Sequence, residues 1–149
     1  MKKVFLLIDD DADDRMLFCE ALAELRNEVT CIAISNGNIA LSEILEERLP
    51  HPDLVFIDIN MPGKDGWYYL NKIKHNPGLK GIPVIMYSTA IDEFIVEESV
   101  SKEVLFLFKK PDDFEDLKRC LSTLYYHVIN GTLHHLTLNA VPWFYGIQQ

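Results

Sequence analysis

The chain has 149 residues, a length that suits one globular domain, and its 48% hydrophobic and 25% charged residues are ordinary for such a domain. A net charge of −9 argues against direct contact with nucleic acid, because phosphate backbones are bound by clustered Lys and Arg. No apolar run is long enough for a signal-peptide core or a membrane span. We therefore expect a cytoplasmic protein that does not act at a membrane.

Short apolar runs alternate with helical patterns from the N-terminus onward. Val4–Ile8 predicts a first strand, and the apolar spacing after it predicts a helix over about Ala12–Arg26. Val29–Ile34 predicts a second strand, and Asn36 is a candidate cap for the next helix. The apolar stripe of that helix is predicted at Ile39, Ala40, Ile44 and Leu45.

The middle of the chain, Asp53–Gly66, reads DLVFIDINMPGKDG. Its apolar residues run into Asp58, and a cluster of turn residues follows, which predicts a strand buried on both faces with Asp58 as its last residue. Asp65 is a candidate cap for a third helix. The inward-facing residues of this helix are predicted to be Trp67, Leu70 and Ile73.

Two more units complete the pattern. Val84–Tyr87 predicts a fourth strand, followed by an acidic helix near Asp92–Val100. Leu105–Phe108 predicts a fifth strand, and a last helix should end near Gly131. Strict alternation of strands and helices predicts an α/β fold in which a five-stranded parallel sheet lies between two helix layers.

The three cysteines are an odd number without metal-ligand spacing. Cys19, Cys31 and Cys120 are therefore interpreted as buried free thiols.

Polar residues stand at the predicted carboxyl ends of four strands, which meet at one edge of a parallel sheet. Ligands bind at such edges in open α/β sheets. These residues are Asp9, Asp10 and Asp11 after strand one, Asp58 after strand three, Ser88 and Thr89 after strand four, and Lys110 after strand five.

Carboxylates brought together at this edge would repel one another, and a divalent cation such as Mg²⁺ relieves the repulsion. Asp58 is then a candidate nucleophile, since carboxylates form acyl phosphates in covalent phosphoryl transfer. Ser88 offers a hydroxyl and Lys110 a compact positive charge to phosphoryl oxygens. The combination predicts phosphoryl transfer to an aspartate.

Four segments resemble the response-regulator receiver domain of two-component signalling. They are LLIDDD, DLVFIDINMPGKDG, PVIMYSTA and KKP, in the order and spacing of that family, over about Lys3 to Tyr126. The resemblance implies a doubly wound, flavodoxin-like (βα)5 sheet of order 2-1-3-4-5. It divides the chain into a receiver domain, 1–130, and a C-terminal extension, 131–149, without a separate output domain.

The same resemblance assigns roles to individual residues. Asp58 would accept the phosphoryl group, and Asp9, Asp10, Asp58 and the backbone carbonyl of Asn60 would hold Mg²⁺ or Mn²⁺. Ser88, with Thr89 beside it, and Lys110 would bind the phosphoryl group. Pro111 would follow a cis peptide bond. The donor would be a sensor histidine kinase or a phosphotransfer protein, and the output would be binding to a downstream protein.

The sequence departs from the family pattern at two places. The aromatic residue often found three positions before the lysine is Leu107 here, if Lys110 rather than Lys109 is the active lysine. We prefer Lys110 because the proline follows it directly. The extension contains Trp143, Phe144 and Tyr145, whose apolar surface predicts packing on the same domain or across a homodimer.

The sequence is also compatible with other interpretations of its acidic residues and of its function. Asp11, Asp13 and Asp14 are interpreted as a solvated acidic start of the first helix. A small aspartyl-phosphate phosphatase would use an acid two residues after the nucleophile, where this chain has Asn60. A phosphate-independent dimeric scaffold is the other alternative, suggested by the extension and Leu107.

Overall fold

The computed structural model describes residues 2–25, 28–102, 104 and 106–136, and the backbone of residues 144–146. Strands and helices alternate five times before a short 3-10 turn and a last strand. They are β1 (Lys3–Ile8), α1 (Ala12–Ala23), β2 (Val29–Ile34), α2 (Gly37–Leu45), β3 (Leu54–Asp58), α3 (Gly66–Lys74), β4 (Val84–Ser88), α4 (Glu93–Ser101), β5 (Phe106–Lys109), α5 (Phe114–Ile129), the 3-10 turn Leu133–His135 and β6 (Phe144–Gly146).

The strands form one sheet in the order β2-β1-β3-β4-β5-β6. The first five are parallel, which confirms the predicted order 2-1-3-4-5, and β6 lies antiparallel on the outer edge of β5. The sheet therefore has one strand more than predicted. In the central register Asp58 is paired with Tyr87 and Ser88 with Lys109, so the polar residues at the strand ends share one edge.

The core has two layers, one on each face of the sheet. Alternate strand residues such as Phe56 and Phe108 pack with α1 and α5, and their neighbours Ile57 and Leu107 pack on the side of α2 and α3. This alternation follows from the period of two in a strand and explains why the strands read as continuous apolar runs. None of the helices in the described ranges is long and apolar enough to cross a bilayer.

Every α-helix begins at a polar residue whose side chain accepts a hydrogen bond from a backbone N–H of the first turn. The predicted caps Asn36 and Asp65 are confirmed. Asp11, Asp92 and Asp113 cap the other three helices. Such caps satisfy N–H groups that have no partner inside the helix.

The stripe predicted for α2 is only partly right. Ile39 and Leu45 are exposed, and the buried residues of this helix are Gly37, Ala40, Leu41 and Ile44. The buried face turns toward α3, where the ring of Tyr69 lies so close to Gly37 that a Cβ there would come within 2.6 Å of it. Ile39 and Leu45 flank this face rather than belong to it.

The interpretation of all three cysteines as free thiols is wrong. Cys19 of α1 and Cys31 of β2 form a disulfide, with their Cα atoms 5.6 Å apart, whereas Cys120 is free and buried as predicted. A separation of 12 residues does not reveal this pairing. Only the packing of α1 beside β2 brings the two sulfurs together.

The extension continues the core of the same domain over its first residues. After α5, Gly131 has a positive φ of 65°, and the chain turns back so that Leu133 and Leu136 become buried in the layer formed by α1 and α5. The backbone of β6 pairs with β5 of its own chain. Trp143 and the side chains of Phe144 and Tyr145 lie outside the described residues, so their predicted packing stays a prediction.

Candidate functional site

The carboxyl edge of the sheet gathers the predicted site residues. Asp9 follows β1, Asp58 ends β3, Ser88 ends β4 and Lys110 follows β5. The main chain continues the strand pairing beyond these ends, because Ile59 N donates to Tyr87 O at 2.9 Å and Lys110 N donates to Ser88 O at 2.8 Å. The cleft above them is about 490 Å³ in volume and is lined by Asp10, Asp11, Ala12, Asp13, Asp58, Asn60, Thr89 and Lys110.

Gly66 determines where the main chain of Asp58 lies. The N–H of Gly66 donates to Ile59 O at 3.0 Å, which closes the loop between β3 and α3. A Cβ at Gly66 would lie 2.4 Å from the backbone oxygen of Asp58, so only glycine fits this approach. The sequence pattern indicated only a turn at Gly66, and this role was not predicted.

Three carboxylates lie close together at this edge of the sheet. Asp9, Asp10 and Asp58 each offer an oxygen, and these oxygens lie within 4.8 Å of one another. Asp9 is fully buried and Asp58 is 5% exposed, whereas Asp10 is exposed. Burial, together with the charge of Asp9, raises the pKa of Asp58 to about 7 against the lowering effect of Lys110. Burial also raises the pKa of Asp9.

Lys110 supplies the positive charge of the site. Its Nζ donates to Asp14 Oδ2 at 2.8 Å and to Asp9 Oδ2 at 2.9 Å, and lies 3.5 Å from Asp58 Oδ1. It also sits 4.8 Å from the centre of the Tyr87 ring. Burial alone lowers the pKa of Lys110, but the hydrogen bonds to Asp14 and Asp9 outweigh that effect and raise the pKa. The side chain is therefore held as an ammonium.

The structure distinguishes between the two adjacent lysines. Lys110 is 9% exposed and lies within the cluster, while Lys109 is exposed at the end of β5. Leu107, three residues before Lys110, is fully buried on the α2 and α3 side of the sheet. An aliphatic core residue thus occupies the position where an aromatic was expected.

Ser88 is buried and already has hydrogen-bond partners. Its hydroxyl donates to Ala90 O at 2.8 Å and accepts from Asn60 Nδ2 at 3.3 Å. The backbone N–H of Asn60 donates to the Asp58 carboxylate and lowers its pKa. Thr89 is exposed and lines the cleft, so both hydroxyl residues lie near the site in different environments.

The prediction of a cis peptide bond before Pro111 is wrong for this structure, because none of the described residues has a cis peptide bond. Trans is the intrinsically preferred isomer even before proline, by about 0.5–1 kcal/mol.

The donor set suits a hard divalent cation. Three carboxylates, two of them with raised pKa values, lie together at this edge of the sheet, and the Lys110 ammonium lies beside them. Mg²⁺ and Mn²⁺ favour oxygen ligands and would offset the remaining negative charge. The predicted metal residues Asp9, Asp10 and Asp58 are brought together, which satisfies the requirement for such an ion.

Comparison with known proteins identifies the family. Residues 5–122 match the model of the response regulator receiver domain. The chain belongs to this family. Receiver domains act in signalling rather than in metabolic catalysis, and they bind a divalent metal. The chain is thus a phosphoacceptor signalling protein, and neither the phosphatase nor the phosphate-independent scaffold finds support in the comparisons.

Individual receiver domains resemble this one in sequence and structure. The response regulator Rcp1 of Synechocystis sp. is 34% identical over 119 residues, which are 77% of this chain and 81% of Rcp1. The crystal structure of the Mn²⁺-bound form of Rcp1 has a TM-score of 0.70 at 32% identity and covers 82% of this chain and 91% of that one. The phosphorylated cyanobacterial phytochrome response regulator RcpA has a TM-score of 0.78 at 27% identity, over 88% of this chain and 96% of that one.

Two residues of this receiver site were not predicted. Asp14 was interpreted as part of a solvated helix start, yet it accepts a hydrogen bond from Lys110. Tyr87 was predicted only as a strand residue, yet its ring lies against the same ammonium. The acidic run gave a weak signal for Asp14, since the first turn of α1, which contains it, directly follows the acids after β1. Nothing in the sequence singled out Tyr87.

Proposed function

We propose that Asp58 is the phosphoacceptor of this receiver domain and that the reaction depends on Mg²⁺. The observation that carries the proposal is the position of its carboxylate, which lies beside Asp9 and Asp10 and 3.5 Å from the Lys110 ammonium. A carboxylate oxygen of Asp58 attacks the phosphorus of a phosphohistidine, and the P–N bond of the donor breaks as the acyl phosphate forms. The donor is a sensor histidine kinase or a phosphotransfer protein.

The other residues of the cleft prepare this transfer. Asp9, Asp10, Asp58 and the backbone carbonyl of Asn60 would hold the cation, which supplies positive charge for the phosphoryl oxygens. Lys110 donates a further charge-assisted hydrogen bond to those oxygens. Ser88 would exchange its bond to Ala90 O for one to the phosphoryl group, and Thr89 lies at the cleft for the same use.

The signal would be a change in protein binding. Phosphorylation adds about −1.5 to −2 charge, and it would change which conformations of α4, β5 and α5 are populated. A downstream protein would bind this face in one state and not in the other. The protein would transfer phosphate only to itself and remove it only from itself.

The experiment that tests the phosphoacceptor uses Mg²⁺ with acetyl phosphate or phosphoramidate. We expect intact-mass spectrometry to show one added phosphoryl group in the parent chain and none in Asp58→Asn. Asp112→Asn, which removes an exposed acid outside the cleft, should be phosphorylated like the parent. Chelation of the metal with EDTA should prevent the reaction. A parent chain that gains no phosphoryl group from either donor would contradict the proposal.

We further propose that the C-terminal extension, 131–149, protects the β5 edge or serves as a dimer arm. An unpaired edge strand recruits other strands, and the backbone of β6 occupies that edge within its own chain. The same pairing in a homodimer would need the β6 segment of a second copy. Sedimentation of the full chain over a range of concentrations separates the two possibilities, since only the dimer arm predicts a concentration-dependent mass.

A further inference from the structure

Asp14 has the shortest hydrogen bond to Lys110 of the three carboxylates around that lysine. The distance from Lys110 Nζ to Asp14 Oδ2 is 2.8 Å, compared with 2.9 Å to Asp9 Oδ2 and 3.5 Å to Asp58 Oδ1. Asp14 lies in the first turn of α1, and its side chain is 32% exposed. The bond thus joins the start of α1 to the loop after β5, across 96 residues of sequence.

The Lys110 ammonium can donate only a limited number of hydrogen bonds. A lysine ammonium has three hydrogens. Two are donated to Asp14 and Asp9, which leaves one for a group on the Asp58 side. Lysine has a flexible four-carbon stem, and without fixed acceptors its ammonium has no single position.

Asp9 is not suited to hold Lys110 alone. Its carboxylate belongs to the acidic cluster with Asp10 and Asp58, so a bound cation would compete for its oxygens. Asp14 is outside that cluster, so a cation bound there would not compete for its carboxylate.

We propose that Asp14 is a positioning residue for phosphoryl transfer, which holds the Lys110 ammonium so that one of its hydrogens remains available to a phosphoryl oxygen on Asp58. This inference rests on the proposed phosphorylation of Asp58. By this inference, α1 contributes the side chain of Asp14 to the site. Asp14 acts through Lys110 and does not touch the reacting atoms.

The test compares Asp14→Ala, Asp14→Asn and Asp13→Ala in the full chain. The Asp13 variant removes the same charge from the same helical turn and from the same cleft, because Asp13 is exposed and lines that cleft. Asp13 is not one of the three carboxylates paired with Lys110, so this variant measures the effect of charge without the loss of a bond to Lys110. The probe is beryllofluoride at saturating Mg²⁺, and its half-saturating concentration is measured together with that of Mg²⁺. The rate of phosphorylation by phosphoramidate is followed at several donor concentrations.

We expect Asp14→Ala to raise the half-saturating concentration of beryllofluoride roughly tenfold relative to Asp13→Ala, as the loss of one charge-assisted hydrogen bond implies. Asp14→Asn keeps an acceptor oxygen without the charge and should lie between the two. The half-saturating concentration of Mg²⁺ should change equally in Asp14→Ala and Asp13→Ala. The limiting phosphorylation rate should fall in Asp14→Ala more than the donor concentration at half rate rises.

Each outcome decides the inference. Equal affinities for beryllofluoride in Asp14→Ala and Asp13→Ala would overturn it, as would tighter binding in Asp14→Ala. If Asp14→Ala does not fold, the comparison of Asp14→Asn with Asp13→Ala gives the answer. A parent chain that takes no phosphoryl group would instead overturn the proposed function, and the two failures are therefore distinguishable.

Discussion

The ammonium of Lys110 lies 2.9 Å from a carboxylate oxygen of Asp9, although 101 positions separate the two residues in sequence. Asp9 is fully buried and Lys110 nearly so. The pair joins the ends of β1 and β5, which are not neighbours in the sheet. A buried ion pair of this kind is costly to break on one side, because the other charge remains buried without a partner.

Removal of the Lys110 ammonium should therefore destabilise the fold as well as the site. We expect Lys110→Met to lower the free energy of unfolding by roughly 3 kcal/mol at neutral pH. Lys109→Met, at the exposed neighbouring position, should change it by less than about 0.5 kcal/mol. Urea unfolding followed by circular dichroism measures both values. Similar losses of unfolding free energy in the two variants would contradict the role of Lys110 in a buried ion pair.

The ionisation of Asp58 should oppose folding in the absence of metal. Its pKa is about 7 in the folded chain, mainly because of burial, and about 4 in an unfolded chain. Between these values the folded state binds more protons, so the contribution of Asp58 to the free energy of unfolding falls as pH rises from about 4 to 7 and then stays level.

Asp58→Asn removes this contribution. In EDTA at about pH 8 the variant should be more stable than the parent by roughly 1–3 kcal/mol, since one pKa unit corresponds to about 1.4 kcal/mol. The advantage should shrink near pH 5, where Asp58 of the folded parent is protonated. Urea unfolding at the two pH values checks this expectation. An advantage that does not depend on pH would contradict it.

The close approach of Gly66 to Asp58 predicts a strong effect of a single methyl group. Gly66→Ala places a Cβ 2.4 Å from the backbone oxygen of Asp58, so the β3–α3 loop must shift. We expect a loss of about 2 kcal/mol or more in the free energy of unfolding. The extent of phosphorylation by phosphoramidate should fall with it.

Gly81 provides the matched control. A Cβ at Gly81 meets no atom within 4 Å, so Gly81→Ala should change the free energy of unfolding by less than about 1 kcal/mol. Thermal unfolding of the two variants side by side makes the comparison. If Gly66→Ala were as stable as Gly81→Ala, the loop would not be constrained as described.

The disulfide between Cys19 and Cys31 should be detectable by thiol chemistry. In denaturant without reductant, a maleimide should label one cysteine, Cys120, and after reduction it should label all three. Reduction should lower the free energy of unfolding by up to about 3 kcal/mol, the scale for a loop of this size. Cys31→Ser should show the same lower stability with or without reductant. Labelling of three cysteines before reduction would show that the bond is absent.

Much of the fold could be predicted because the pattern of apolar residues is local information. Strands such as Val29–Ile34 were predicted with their observed bounds, since a buried parallel strand is a continuous apolar run between turn residues. The caps Asn36 and Asp65 were found because their hydrogen bonds span only two or three residues. The stripe of α2 was less accurate, because the buried side of α2 depends on its packing with other elements, among them Tyr69 of α3 against Gly37.

In the candidate site, too, some residues could be predicted from local sequence patterns and others depend on tertiary packing. Asp9, Asp10, Asp58 and Lys110 were predicted because each follows or ends a strand of a parallel sheet, whose carboxyl ends share one edge. Asp14, which accepts a hydrogen bond from Lys110, was missed because that contact depends on how α1 packs. The prediction of a cis peptide bond before Pro111 was wrong. It came from the family resemblance and not from any property of this chain.

By itself, the sequence determined the succession of strands and helices along the chain, the chemistry at the strand ends and the family. These depend on which residue types follow one another and on the periods of helix and strand. The tertiary structure alone decided that Cys19 meets Cys31, that Gly66 abuts Asp58 and that Asp14 bonds to Lys110. The physical reason is that such contacts depend on how far each element is shifted and rotated when it packs, and local patterns do not encode those quantities.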